Sequence, residues 1–104
     1  MQTDLIIIDD YCQKCNIEPS FIFLLEEDGL INIKHIDGEH YILTSELQEI
    51  ERFSRWYYDL SINVEGISVI HNLLKRIHSM EAEIRHLKQH INFFQQGNNN
   101  YPEY

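Results

Sequence analysis

The strongest constraint on this chain lies in its last third. Ile67, Ile70, Leu74, Ile77, Met80, Ile84, Leu87, Ile91 and Phe94 follow one another at steps of 3, 4, 3, 3, 4, 3, 4 and 3. That is a heptad rhythm with one stammer, between Ile77 and Met80. Asn63 is placed to cap the helix, and the pattern predicts helix from about Val64 to Gln95. At 1.5 Å per residue it extends roughly 48 Å, more than a chain of 104 residues can cover with its own surface. The stripe before the stammer is therefore expected to pack on the rest of the chain, and the stripe after it to pair with a second copy. With Ile84 and Ile91 at a, and Met80 and Leu87 at d, Glu81 and Lys88 fall at e and Glu83 and His90 at g. An antiparallel pair centred between Arg85 and His86 sets Glu81 opposite Lys88. A parallel pair sets Glu83 opposite Lys88, so the direction stays open. The expected dimerisation residues are Met80, Glu81, Ile84, Leu87, Lys88, Ile91 and Phe94. The competing arrangement is a helix that folds back in two segments within one monomer.

The first 63 residues read as short elements. Leu5-Ile6-Ile7-Ile8 is a β-branched run that predicts a strand. Asp9 offers an N-cap for a brief helix from Asp10 to Cys15, with Tyr11 and Cys15 on one face. Pro19 suits the first turn of a second helix through Phe21 to Leu25, and Gly29 suits its end. Two short helices joined by a tight turn make a helix-turn-helix. Ile31 to Ile36 and Glu39 to Leu43 flank Asp37-Gly38, the turn that demands positive φ at both centres and so marks a hairpin. Thr44 or Ser45 is expected to cap a third helix, Ser45 with Gln48 fitting a capping box. Leu47, Ile50, Phe53, Tyr57 and Leu60 share one face of it.

Charge divides unevenly. Residues 1–63 carry 13 Asp and Glu against 4 Lys and Arg, whereas residues 64–104 carry 4 of each. The whole formal charge of −9 thus lies in the first part, which repels phosphate backbones and attracts cations. The hydrophobic fraction of 43% with 12% aromatics is enough for one folded domain. No run of about 18 apolar residues is present to span a membrane. The opening residues lack the basic start of a signal peptide, so a cytoplasmic location is expected. Cys12 and Cys15 form a lone C-x-x-C; a zinc site would need a second pair, and reduced structural thiols are the expectation.

In order and spacing, helix-turn-helix, wing, helix and coiled-coil helix resemble the MerR-type regulators. The details are closer to one branch, the chaperone-modulator CbpM family. The segments that carry the likeness are Ile6-Ile7-Ile8-Asp9-Asp10-Tyr11-Cys12, Glu27-Asp28-Gly29-Leu30-Ile31, Leu60-Ser61-Ile62-Asn63-Val64-Glu65-Gly66-Ile67 and Ile84-Arg85-His86-Leu87-Lys88-Gln89, over about residues 4–95. The resemblance implies a mainly α fold with a small β-wing. A winged helix-turn-helix head would occupy residues 1–63, a long helix for head packing and then dimerisation 64–95, and a disordered tail 96–104. The resemblance further implies that the partner of this expected homodimer is the J-domain of a DnaJ/CbpA-type co-chaperone, whose engagement of DnaK it inhibits. J-domains present a basic face to DnaK, so an acidic ligand is physically apt.

DNA binders of the MerR type place arginines in the second helix and the wing. Here the second helix, Pro19 to Asp28, has no basic residue, and the wing has Lys34 and two histidines, with His40 before Tyr41 where a wing arginine is usual. Arg52 and Arg55 remain, on the third helix. DNA binding is accordingly the secondary expectation. Glu26, Glu27 and Asp28, the densest acid cluster, stand at a helix C-terminus where they oppose the macrodipole. With Glu46, Glu49, Asp59 and an interface aromatic, Trp56, of the triplet Trp56-Tyr57-Tyr58, they form the expected partner-binding surface. His86 and His90, one turn apart, and the single E-x-x-H of Glu83 to His86 read as a solvated helix face. His71 and His78 read likewise. No nucleophile-base pair, phosphate loop or carboxylate cleft points to an enzyme, and neither a metal nor another cofactor is expected.

Overall fold

A computed structural model describes residues 4–95; the tail expected at 96–104 lies outside the described residues. The elements are β1 (Leu5–Ile7), α1 (Ile8–Cys15), α2 (Pro19–Glu27), β2 (Ile33–Ile36), β3 (Glu39–Leu43), α3 (Leu47–Ser54) and α4 (Val64–Gln95). A 3₁₀ turn, Thr44–Glu46, precedes α3, and a π-turn, Arg55–Asp59, follows it. The fold is mainly helical with a three-stranded antiparallel sheet in the order β1-β3-β2.

The hairpin forms where turn chemistry demands it. Asp37 and Gly38 both take positive φ, 50° and 80°, which matches the right-handed twist of the flanking strands. The two-residue turn sets the register: Ile36 faces Glu39, His35 faces His40 and Ile33 faces Ile42. β1 adds to the other edge of β3, pairing Ile6 with Ile42, so the wing is backed by a strand from the chain's beginning.

The helix-turn-helix closes through two left-handed residues. Asn16 has φ 57° and lets the Ile17 amide donate back to the Cys12 carbonyl at 3.0 Å. Gly29, φ 75°, lets the Leu30 amide reach the Leu25 carbonyl and its own amide reach that of Glu26, both at 2.9 Å. This is the Schellman pairing, which satisfies the last carbonyls of α2.

The core gathers Ile8, Tyr11 and Cys12 of α1, Phe21, Ile22 and Leu25 of α2, Ile31, Ile33 and Ile42, Ile50 and Phe53 of α3, and Val64 and Ile67 of α4. Burial of a side chain of this size contributes roughly 1.5–3 kcal/mol. The chain divides into two units between Val69 and Ile70. By element the expected division fell at 63/64; by packing, the head keeps the first turns of α4, because Val64 and Ile67 belong to its core.

Three local expectations are corrected. Asp9 does not cap α1: the helix begins at Ile8, follows Ile7 without a side-chain cap bond, and takes Asp9 and Asp10 into its first turn, where acids suit the macrodipole. Its buried residues are Ile8, Tyr11 and Cys12; exposed Cys15 stands beside Tyr11 on one face, as expected. The Ser45–Gln48 capping box does not form, because Thr44–Glu46 is a 3₁₀ turn with no side-chain cap bond. Leu60 is 63% exposed, because the wider π-turn at 55–59 puts the α3 stripe out of step and turns it off the core face.

α4 starts as its sequence indicates. The Asn63 Oδ1 accepts from the Gly66 amide at 2.7 Å, and the Asn63 carbonyl accepts from the Ile67 amide at 2.9 Å. The helix is continuous to Gln95. Ile77, expected among the head-packing residues, is 49% exposed, and Met80, Ile84, Leu87, Ile91 and Phe94 are exposed as well.

Candidate functional site

α2 is the element that a winged helix-turn-helix offers to a partner. The spacing of Phe21, Ile22 and Leu25 turns one face into the core, and Pro19, Ser20, Leu24, Glu27 and Asp28 stay exposed. Every charge on that exposed face is negative. The amide of Glu18, just ahead of α2, donates to the Tyr58 hydroxyl at 3.1 Å, which fastens the entry of α2 to the end of the π-turn.

At the other end of α2 the structure brings together residues distant in sequence. Leu24, Glu27, Asp28, Tyr57, Asn63, Val64 and Glu65 line a notch of about 230 Å³. Its rim holds three carboxylates, Glu27 and Asp28 at the C-terminus of α2 and Glu65 in the first turn of α4. Leu24, Tyr57 and Val64 supply apolar surface. A mostly polar notch with Leu24 and Tyr57 beside its three carboxylates suits a long cationic side chain, whose methylenes cover the apolar part while its charge meets the carboxylates. Glu27 and Asp28 oppose the dipole of α2 whereas Glu65 is favoured by that of α4. Folding of the head alone therefore gives no electrostatic reason for the first two.

The remaining expected surface residues divide. Glu26 turns to the wing, its Oε2 lying 2.9 Å from His35 Nε2. Glu46 accepts from the amide of Asn32 at 3.3 Å and from its side chain at 3.4 Å, tying the loop after α2 to the start of α3. Glu49 pairs with Arg52 at 2.6 Å. Trp56 is half-buried, packed on the core with Arg52 over its ring at 5.3 Å. The exposed member of the aromatic triplet is Tyr58, edge-on to Phe21, while Tyr57 stacks on Phe21 at 4.4 Å. Asp59 is exposed. Glu26, Glu46, Glu49 and Trp56 are thus partly committed to the head itself, and Glu27, Asp28 and Asp59 present their carboxylates outward. Glu65 was missed from the sequence. Its signal was its place one residue into the helix that Asn63 caps, where the topology returns the chain to the end of α2.

On the wing, His35 and His40 stand opposite one another with their Nδ1 atoms 2.7 Å apart. The His40 ring meets Phe23 of α2 edge-on at 5.2 Å. Burial pushes the Cys12 thiol up to about 11, with Asp9 and Cys15 adding to the effect, the opposite of what a reactive thiol requires. Burial, and then Cys15 beside it, also raises the Tyr11 phenol above its ordinary range. Among the described residues no three His, Cys, Asp or Glu converge as metal ligands, and no helix is long and apolar enough to cross a membrane.

The family model described as MerR HTH family regulatory protein matches residues 6–89, from β1 well into α4. No curated protein and no solved structure matches the chain. A winged helix-turn-helix head, a long C-terminal helix and that match over most of the sequence lead to one conclusion: the chain belongs to the MerR helix-turn-helix family of regulatory proteins.

Proposed function

We propose that the chain is a non-catalytic, cytoplasmic regulatory adaptor whose acidic head docks on the basic face of a J-domain co-chaperone of the CbpA/DnaJ type and hinders its engagement of DnaK. The observation that carries the reading is the exposed face of α2: where a DNA-binding relative needs arginines, this helix offers Glu27 and Asp28, joined by Glu65 around a small acidic notch. Carboxylates there repel a duplex and favour a cationic protein surface. The resemblance to the CbpM branch, noted in the opening segments of α1 and α4, supports the same partner.

The adaptor acts as a homodimer through the second half of α4, where Met80, Ile84, Leu87, Ile91 and Phe94 form an exposed apolar seam flanked by Glu81 and Lys88. Sustained a/d spacing is the pattern that pairs helices.

A second reading, compatible with the family, is operator DNA. Parallel titrations of the full chain with a J-domain fragment and with duplex DNA at low salt separate the two. The expected result is saturable binding to the J-domain that weakens as salt rises, with at most weak, unselective binding to DNA. Tight, sequence-selective DNA binding without J-domain binding would overturn the proposal.

A further inference from the structure

The wing carries a pair of histidines that neither the family reading nor the acidic notch uses. His35 on β2 and His40 on β3 are directly opposed in the ladder, with Nδ1 to Nδ1 at 2.7 Å. The far nitrogen of His35, Nε2, lies 2.9 Å from the Glu26 carboxylate on α2. An ionised carboxylate only accepts, so Nε2 of His35 carries the proton. Nδ1 of a neutral His35 is then bare, and His40 donates its own Nδ1–H to it. With both rings neutral, the hydrogen bonds run from His40 through His35 to Glu26.

We infer that His35 and His40 form a two-point site for an imidazole-preferring divalent metal ion on the wing. Three features of a metal site coincide. The two Nδ1 atoms face each other across a rigid register, not along a flexible loop. The first ligand is oriented by a carboxylate on its other nitrogen, the outer-shell partner that metal-binding histidines commonly use. The spacing is also close to what coordination needs. With metal–nitrogen bonds of about 2.0–2.1 Å, two ligands meeting at a right angle lie about 2.9 Å apart, and at the tetrahedral angle about 3.4 Å. The observed 2.7 Å is a hydrogen-bond separation nearer the first of these, and binding requires both exposed rings to turn their Nδ1 lone pairs from each other toward a shared point. The site therefore fits Cu²⁺, which takes nitrogen ligands at right angles and heads the affinity order, better than Zn²⁺.

On binding, the proton on Nδ1 of His40 moves to its Nε2, the metal takes both Nδ1 lone pairs, and His35 keeps its Nε2–H on Glu26. No electron is transferred. Two protein ligands leave positions for water or for a donor from a partner. Because Glu26 belongs to α2 and the histidines to the wing, an occupied site ties the wing to that helix.

The test is calorimetric titration of the untagged full chain with Cu²⁺ and with Zn²⁺ in a weakly coordinating buffer. Electron paramagnetic resonance of the Cu²⁺ form counts its nitrogen ligands. His86 and His90, one turn apart on α4, are a competing pair, so H86Q/H90Q is titrated alongside H35Q, H40Q and E26Q. The expected results are one Cu²⁺ per chain, bound more tightly than Zn²⁺, with two coupled nitrogens in the wild type and in H86Q/H90Q. H35Q and H40Q should each lose at least about tenfold in affinity and one nitrogen, and E26Q about tenfold or more. All three substituted side chains lie outside the core, and thermal unfolding without metal confirms that each variant folds. No Cu²⁺ binding by the wild type, affinity unchanged in H35Q and H40Q, or binding lost in H86Q/H90Q instead would each overturn the assignment.

Discussion

The head and the second half of α4 use the same kinds of apolar residue to opposite ends. In the head, Ile22, Leu25, Ile42, Ile50, Phe53 and Ile67 are fully buried. Beyond Leu74 every described α4 residue whose side chain is characterised is exposed, including Leu87 at 52% and Phe94 at 62%. One set has its partners within the chain, while the other repeats with the same regularity and is exposed among the described residues. Regular apolar spacing alone thus does not tell whether a face is buried within its own chain. The charges divide along a nearby line, because the acids that leave the head at −9 lie outside its core and the long helix is close to neutral.

Substitutions can break that contrast, the largest effect coming from the head. Phe53→Ala empties a fully buried site and should cost about 3–5 kcal/mol of unfolding free energy, read by urea denaturation at any protein concentration. Leu87→Asp should leave the head's transition nearly unchanged and abolish concentration-dependent association, read by sedimentation equilibrium. If Leu87→Asp instead unfolds the head, or leaves association intact, the division of labour between the two regions is wrong.

A smaller effect tests the junction at the start of α4. Glycine within a helix ordinarily costs about 1 kcal/mol relative to alanine. At position 66, however, an added Cβ would come 2.9 Å from the Ile62 Cγ2 and 3.0 Å from the Asn63 Oδ1 that caps the helix. Gly66→Ala should therefore destabilise the head by about 1 kcal/mol where propensity alone predicts a gain. A rise in melting temperature would show that the cap is not what holds this turn.

The smallest effect concerns the two thiols. With the Cys12 thiol raised from its ordinary value of 9.0 to about 11, the unfolded chain releases that proton first as pH rises. The stability owed to the neutral thiol is complete below about pH 9 and falls as pH approaches about 11. At pH 8 an alkylating reagent should label exposed Cys15 and spare Cys12, as mass spectrometry of the digested protein can show. Equal labelling of both would contradict the burial of Cys12.

Sequence was most informative where a rule acts over a few residues. Asp37-Gly38, Gly29 and Asn63 each impose a local backbone state, and each sits where its chemistry placed it. It was least informative where a distant element intervened. Nothing near Leu5–Ile7 announces that it pairs with β3, and nothing near Glu46 announces that Asn32 lies beside it in space. The Arg55–Asp59 π-turn moved Leu60 out of the predicted stripe through a change in helical winding that apolar spacing alone does not reveal. The candidate site was half legible: Glu27 and Asp28 stood out as acids at the wrong end of a helix, whereas Glu65 joined them only through the return of α4. The histidine pair could have been found by counting back from the two-residue turn, which sets 35 opposite 40.

The central claim is that this member of a DNA-binding fold class uses its acidic notch to hold a basic protein surface. The most direct measurement compares the wild type with the triple variant Glu27→Lys/Asp28→Lys/Glu65→Lys in fluorescence-anisotropy titrations of a labelled J-domain at low salt. The account predicts binding by the wild type and a loss of more than about tenfold in the variant, equivalent to about 1.4 kcal/mol or more, with the helical circular dichroism preserved. Wild-type binding that the three reversals leave unchanged, or no wild-type binding at all, would contradict it.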